Sequence, residues 1–599
     1  MKRNNILLTS LSLLLLAGCA DLYDAKYVTD IDEDVVWTIP DMAKGILFDA
    51  YYYRPERSKP DIYASNFLDV ATDNAVTGSF GSNIYYLSLG QQTADNNPFS
   101  TYTTAYEAFQ MIHKFLENGL GDNLRYVEGN NEVAVWADAD YKELLRGEAY
   151  YLRAWWGLHL LQHYGGRTLD GRALGYPIVT KYIDPDAAAD LSSLKRNTYQ
   201  ECVAQICSDC DEAVRCLTGK EATTGLDDYL GRATIPQTEF VKMRTLFLAA
   251  QPAYQEGSVV TIEGMGKYSV NDRATYEARW KRALDQIQYL YALLGSPNYA
   301  PLRNSDLADV TNTVTPAQFV HRYYSSSNSL ESRHYPPFYF GSCNTMPSQN
   351  LVDAYPMRSG GYPITHKSSG YDPQKPFTGR DSRLESTVYH HGQTFGNTST
   401  AIDIKEGGKD APGYLYNNER GSRTGYYLHK WLSEKNDLLN PISSSNSQHF
   451  WPTMRVAEVI FDLAEASNEL YGPKTPAPGS DKSAYDIIKD VRSRSGGISN
   501  DKYIDEVSTD KDSFLGLIMN ERRLEFAFEH MRYWDLRRRL LPLKVTIQGM
   551  RAVTAEDGTL RYEVVDVEER DFDNVRFYYN PLPLAEIRKG PEMVNNMDY

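Results

Sequence analysis

The residues that most constrain this chain's fold lie near its C-terminus, where Phe514, Leu517, Leu524, Phe528 and Met531 recur at helical spacing. Such a stripe is the packing face of an amphipathic helix, and the spacing predicts that helix over 512–539. Glu521 falls on the stripe itself, where a charge is costly unless it is paired. Glu525 and Glu529 follow, and Arg522, Arg523, Arg532 and Arg537 to Arg539 flank them. The pattern reads as ion-paired structure built into a packing face. Paired carboxylates have lowered pKa values and make poor general acids, which turns this cluster away from catalysis.

Apolar periodicity predicts further helices over 41–53, 101–118, 139–164, 198–217, 235–254 and 272–294, then over 453–471 and 481–495. Gly165-Gly166 and Gly496-Gly497 mark stops, and Pro452 marks a start. The last four helices of the first block begin at intervals of about 59, 37 and 37 residues, which suggests helix pairs in a tetratricopeptide-like array. Between 296 and 450 the chain is dense in Gly, Pro, Ser and Asn. Loops and short strands over a rigid helical body are expected there, and binding residues tend to sit on such loops. The expected fold is therefore mostly α. An N-terminal helical region spans 19–295, and a C-terminal region spans 296–599, loop-rich over 296–450 and helical over 451–599.

Lys2 and Arg3 precede a largely apolar run from Ile6 to Ala17, too short to span a bilayer, so residues 1–18 read as a signal peptide. Leu16-Ala17-Gly18-Cys19 has the form of a bacterial lipobox, in which Cys19 becomes the acylated first residue. Acyl chains, at about 0.8 kcal/mol per buried methylene, hold a protein at a membrane without a transmembrane helix.

The chain carries 62 basic and 79 acidic residues, a net charge of −17, and loses two more positive charges if Lys2 and Arg3 leave with the leader. That balance argues against a nucleic-acid partner. Its 45 Tyr, 20 Phe and 8 Trp suit a wet recognition surface as well as a core. Cys202, Cys207, Cys210 and Cys216 point in different directions from one helix and cannot gather around zinc, and Cys343 stands alone. His159 and His163 stand four apart on a helix, but they lack a third ligand and continue a packing stripe. Asp30, Asp32 and Asp34 alternate like a calcium loop, yet Val35 stands where that loop needs Gly. No metal or cofactor is expected.

Six segments follow one another along the chain: Gly147-Glu148-Ala149-Tyr150-Tyr151-Leu152-Arg153-Ala154 with Tyr164-Gly165-Gly166; Gly231-Arg232-Ala233-Thr234; Arg380-Asp381-Ser382-Arg383-Leu384; Met454-Arg455-Val456-Ala457-Glu458-Val459 with Ala464-Glu465-Ala466; Asp490-Val491-Arg492-Ser493-Arg494-Ser495-Gly496; and the 520–539 stretch. In that order, behind a lipobox, they resemble the RagB/SusD family of Bacteroidetes outer-membrane lipoproteins. Two departures stand out. The family's E-G-x-R is Glu529-His530-Met531-Arg532 here, and Arg539 replaces a usual Trp. The lost Gly bears on local backbone geometry. The resemblance implies a SusD-like, tetratricopeptide-like scaffold that binds without catalysis. It also implies a place at the outer-membrane surface, lipid-anchored, holding oligosaccharide over a SusC-like TonB-dependent transporter.

A sugar has an apolar face that stacks on a ring, and hydroxyls that need charged or amide partners. Two segments have that make-up, 69–102 and 321–340. The expected ligand contacts are Asp73, Asn74, Tyr85, Tyr86, Phe99 and Tyr102 in the first, and Tyr323, Tyr324, Tyr335 and Tyr339 in the second. Peptide uptake in the manner of RagB is the first alternative and predicts a deeper cavity with unpaired polar groups. A surface glycoside hydrolase is the second, and predicts two carboxylates converging in a cleft.

Overall fold

The computed structural model describes residues 33–184, 194–220, 231–256, 259–260, 268–269, 272–302, 319–396, 398–416, 419–435 and 438–599. The leader, Cys19, Asp30 and Asp32 lie outside the described residues.

Six long helices build the first half of the described chain: α1 Pro40–Tyr52, α2 Tyr102–Asn118, α3 Glu132–Tyr164, α4 Tyr199–Leu217, α5 Ile235–Ala250 and α6 Arg273–Leu293. Local chemistry sets their ends. The start of α3 precedes the periodic stretch because the Asn131 side chain caps it, accepting from the Ala134 N–H at 2.8 Å. Thr198 and Glu201 form a reciprocal capping box at α4. At Gly165 the backbone is extended rather than left-handed, and Gly is needed for room, since a Cβ there would meet the Leu161 carbonyl oxygen at 2.3 Å.

A second block follows with α7 Val456–Tyr471, α8 Ala484–Arg494, α9 Lys511–Glu525 and α10 Met531–Arg538. From α3 onward, successive helices pack on one another through α8, so α6 joins the two blocks. This is the neighbour-on-neighbour stacking of a tetratricopeptide-like array. One continuous apolar core runs through both blocks.

Strands occur only in pairs among the described residues. Ala75–Thr77 (β1) pairs antiparallel with Thr345–Pro347 (β3), and Phe319–Ser327 (β2) pairs with Ser447–Arg455 (β4). Val545–Thr554 (β5) and Leu560–Arg570 (β6) form a long hairpin.

Three expectations need correction. Pro452 does not start a helix. It sits in β4 beside an irregularity in the register, which a two-stranded ribbon tolerates because Pro there breaks no central ladder. The stretch beyond 451 is not helical throughout, since it ends in the β5–β6 hairpin. The helix over 512–539 is two helices, α9 and α10, separated by a turn in which Phe528 (φ 60°) and His530 (φ 66°) are left-handed. A non-glycine residue in that region is strained by roughly 1–2 kcal/mol. His530 has compensation: its Nδ1 accepts from the Leu68 N–H at 3.1 Å and its Nε2–H donates to the Pro60 carbonyl at 2.7 Å. The position where the family keeps Gly thus holds a side chain that ties the turn to residues 60–68.

Candidate functional site

The charges of α9 and α10 form a buried lattice. Glu521 is fully buried between Arg383 at 2.6 Å and Arg492 at 2.5 Å. Glu525 meets Arg455 at 2.6 Å and accepts from the Tyr299 hydroxyl at 2.6 Å, and Glu529 meets Lys430 and Arg455, each at 2.7 Å. Burial alone pushes the Glu525 carboxyl up, but Arg455 and Arg383 outweigh it and bring the group down to about 2. A carboxylate held that firmly in its charged form is no general acid.

Asp73 and Asn74 belong to the same lattice. Arg532 grips Asp73 with Nε and Nη2, both at 2.9 Å, and Arg523 reaches it at 3.1 Å. These guanidiniums overcome desolvation and hold the Asp73 carboxyl well below the usual range. Asn74 is fully buried, donates to Asp69 at 2.8 Å and accepts from Arg523 Nε at 2.7 Å. Both are scaffold residues rather than ligand contacts, a correction to the expected site. Three aromatics require the same correction because they are buried. Phe99 packs among Tyr63, His163 and Trp534, Tyr102 stands edge-on to Tyr164 at 5.1 Å, and Tyr335 donates to the Ser433 carbonyl at 2.5 Å. None has a ring face left for a sugar.

The remaining expected residues divide into three places. Tyr85 and Tyr86 gather around Phe80, which is 62% exposed; Tyr85 stands edge-on to it at 5.3 Å and lies 5.9 Å from Tyr86. Arg423 lies 5.2 Å over Phe80 and is steadied by Glu568 at 2.8 Å. Tyr339 belongs to a second group with Phe338 and Phe340, the latter 40% exposed and left-handed at φ 66° after the Pro337–Tyr339 turn. Tyr339 stacks on Phe395 at 3.9 Å, and the Lys409 ammonium lies within 5 Å of the Tyr339 and Phe338 ring centres. Tyr414 and Leu415 are exposed beside that turn. The two groups are joined through the β1–β3 ladder, which continues in the Gly78 N–H donating to the Asn344 carbonyl at 2.7 Å. Together they make a surface of exposed rings set with cationic and amide groups, the chemistry a sugar needs.

Tyr324 is exposed elsewhere, on β2 against Phe450 at 5.2 Å. Tyr323 points the other way and lines a partly open pocket of about 180 Å³ between the helical block, β4 and the α9–α10 turn. Trp155, His159 and His163 run along one wall, with His159 stacked on Trp155 at 5.4 Å and on His163 at 4.0 Å. Burial keeps His159 neutral and holds His163 down to about 4. His159 Nε2 lies 2.6 Å from Thr101 Oγ1. Among the described residues no three His, Cys, Asp or Glu side chains are grouped to hold a metal, and the five described cysteines are free and buried.

Sequence reasoning missed Arg54, Trp451, Arg423, Lys409 and Tyr414. No local pattern distinguishes them, because each acquires its place only when distant segments meet. Phe80 and Phe338 carried a readable signal: Gly81 follows the first and Pro336-Pro337 precedes the second, and such turn residues push a ring outward.

A family model described as the SusD family matches residues 309–599, and another described as starch-binding associating with outer membrane matches residues 39–224. No curated protein matches the chain. A SusD-like protein from Bacteroides fragilis superposes with a TM-score of 0.68 at 20% identity, covering 95% of this chain and 99% of that one. A SusD-like carbohydrate binding protein from the same species gives 0.67 at 20% identity, over 93% and 100% of the two chains. Surface glycan-binding protein A from Bacteroides uniformis gives 0.56 at 16% identity, over 93% and 98%. At these identities the likeness shows the fold, and it extends over nearly the whole of each chain. With the two family models placed in order along one helical scaffold, the chain belongs to the SusD/RagB family.

Proposed function

We propose that this chain captures oligosaccharide or polysaccharide at the cell surface and delivers it to a SusC-like TonB-dependent transporter, without catalysing a reaction. The observation that carries the reading is the pair of exposed aromatic groups around Phe80 and Phe340, set with Arg423 and Lys409. Ring faces open to solvent are expensive to keep unless something stacks on them, and a pyranose offers the matching apolar face. Family members named for carbohydrate, starch or glycan binding support the same ligand class. The non-catalytic part rests on the carboxylates of the α9–α10 region, which are tied up in ion pairs. Attachment through Cys19 and outer-membrane placement rest on the lipobox and on the family description.

Affinity electrophoresis across a panel of neutral polysaccharides tests the ligand. Retardation by at least one glycan, abolished in the double variant Phe80→Ala/Phe340→Ala, is expected; retention of peptides alone would sink the reading. Membrane fractionation of Cys19→Ser tests the anchor, with release from the membrane as the expected result. Co-purification of a SusC-like TonB-dependent transporter with the chain from native membranes tests delivery.

A further inference from the structure

Ala64 (φ 48°) and Ser65 (φ 59°) lie side by side in the left-handed region, as no other two adjacent non-glycine residues do among those described. They form the middle of a two-residue turn whose flanks, Tyr63 and Asn66, exchange N–H···O bonds at 3.2 and 3.0 Å. A turn of this kind favours Asn-Gly, and a Cβ at either central position strains it. Such strain persists only where the surroundings hold it, and it concentrates at functional sites. Ala64 is exposed, so packing of its side chain does not hold the turn.

Asn66 holds it. Its side chain is fully buried and makes four hydrogen bonds. Nδ2 donates to the Ala64 carbonyl at 2.9 Å and to Ser79 Oγ at 3.0 Å, and Oδ1 accepts from Thr77 Oγ1 at 2.9 Å and from Thr345 Oγ1 at 3.3 Å. An amide offers two donor protons and two lone pairs, so every place is taken. Asn344 Nδ2 adds a bond to the Ser65 carbonyl at 3.2 Å.

These partners lead to both groups of exposed rings. Ser79 immediately precedes Phe80, and its carbonyl accepts from Ser82 Oγ at 2.6 Å. Ser82 in turn caps the short helix Asn83–Ser88, which carries Tyr85 and Tyr86. On the other strand, Asn344 and Thr345 follow the segment that bears Phe338, Tyr339 and Phe340. Thr77 and Thr345 face each other as the last pair of the β1–β3 ladder, so Asn66 clamps that ladder at the end from which both segments depart.

We infer that Asn66 is a positioning residue for glycan binding, one that fixes the Phe80 group relative to the Phe340 group without touching the ligand. The inference rests on the exposed face being the glycan site. A sugar chain that stacks on rings of both groups needs them at one spacing, and a face already held at that spacing binds without an added ordering cost.

Nitroxide labels read the placement directly. In the full Cys19→Ser chain, whose five described cysteines are buried, Asn83→Cys and Phe338→Cys put one label on an exposed residue of each group. A single narrow distance distribution is expected with Asn66 in place. Asn66→Asp keeps the shape but sets a carboxylate oxygen against the Ala64 carbonyl. It should broaden or shift the distribution, and should weaken retardation of the unlabelled chain in neutral-polysaccharide gels at least fivefold. If Asn66→Asp does not fold, Thr77→Val and Thr345→Val take its place, since each removes one buried hydroxyl from Asn66 at nearly constant shape. The inference is overturned if the folded variants keep the original distances, or lose thermal stability alone, as a purely structural residue would. Expected distances in a chain that no polysaccharide retards would overturn the glycan reading, whereas equal retardation with and without Asn66 would overturn this inference alone.

Discussion

The α9–α10 lattice and the exposed aromatic face contain the residue types most readily read as functional, and they resolve in opposite directions. In the lattice, Glu521, Glu525 and Arg522 are buried with their countercharges, so their chemistry is satisfied internally. On the face, Phe80, Phe340 and Tyr414 keep apolar surface in water, where it can still be covered. The two regions differ in what is left unsatisfied, and charge or aromaticity alone does not mark that difference. Arg54 extends the comparison, since its buried Nε and Nη2 have no hydrogen-bond partner among the described residues.

The largest expected break is in the lattice. Glu521→Ala removes the carboxylate shared by Arg383 and Arg492, which keep Asp381 and Asp501 as partners, so the loss should lie near the lower end of the roughly 3–5 kcal/mol typical of breaking a buried pair. Chemical denaturation should show a loss of that order, while Phe80→Ala should unfold at nearly the original denaturant concentration. Equal losses in the two variants would erase the distinction.

Acid should separate the regions next. His163 is held down to about 4 in the folded chain, against ~6.5 unfolded, so the unfolded state binds more protons between those values. Stability therefore falls as pH drops from 6.5 to 4, by on the order of 3 kcal/mol from this group, and His159 acts in the same direction. Glu525, at about 2 against ~4.3 unfolded, contributes stability that is present above pH 4.3 and lost as pH falls toward 2. Thermal midpoints measured from pH 7 to 3 should decline throughout, with His163→Gln flattening the upper part. Ring–sugar stacking involves no titrating proton, so glycan affinity should hold wherever the chain remains folded.

A smaller effect is expected on the face itself. Phe80→Ala and Phe340→Ala should each weaken glycan binding roughly tenfold, about 1.4 kcal/mol, with little change in melting. Calorimetry paired with thermal unfolding reads both. The smallest effect concerns His530. Replacing it with Gly relieves the left-handed strain but removes two hydrogen bonds of about 1 kcal/mol each, so His530→Gly should destabilise by about 1 kcal/mol or less. A clear gain in stability would show that the side chain's bonds to residues 60–68 do not compensate its backbone.

Much of the fold was legible because helix periodicity and caps are local. The helices around Phe109, Trp156, Val203 and Phe461 appear where apolar residues recur, with ends set by Asn131, Thr198 and Thr234. The break at Phe528 to His530 was not legible, because the stripe runs through it and only the tie to Pro60 and Leu68 explains the turn. The two aromatic segments were legible as candidates, but which of their rings face solvent was not. Phe80 and Phe99 look alike in sequence, yet one stands in solvent and the other is packed beneath Trp534.

By itself, the sequence determined the helical scaffold, the family, and that charges on a packing stripe must be paired. Those follow from interactions within a few residues, and from the penalty on any lone buried charge. Tertiary structure alone decided which ring faces water, which carboxylate meets which guanidinium, and that Arg54 forms no ion pair among the described residues. The reason is distance along the chain. Asp73 and Arg532 close an ion pair across 459 residues, and the two aromatic groups lie off one end of the same ladder only because β1 pairs with β3. No local pattern encodes an encounter of that range; only the packed core brings it about.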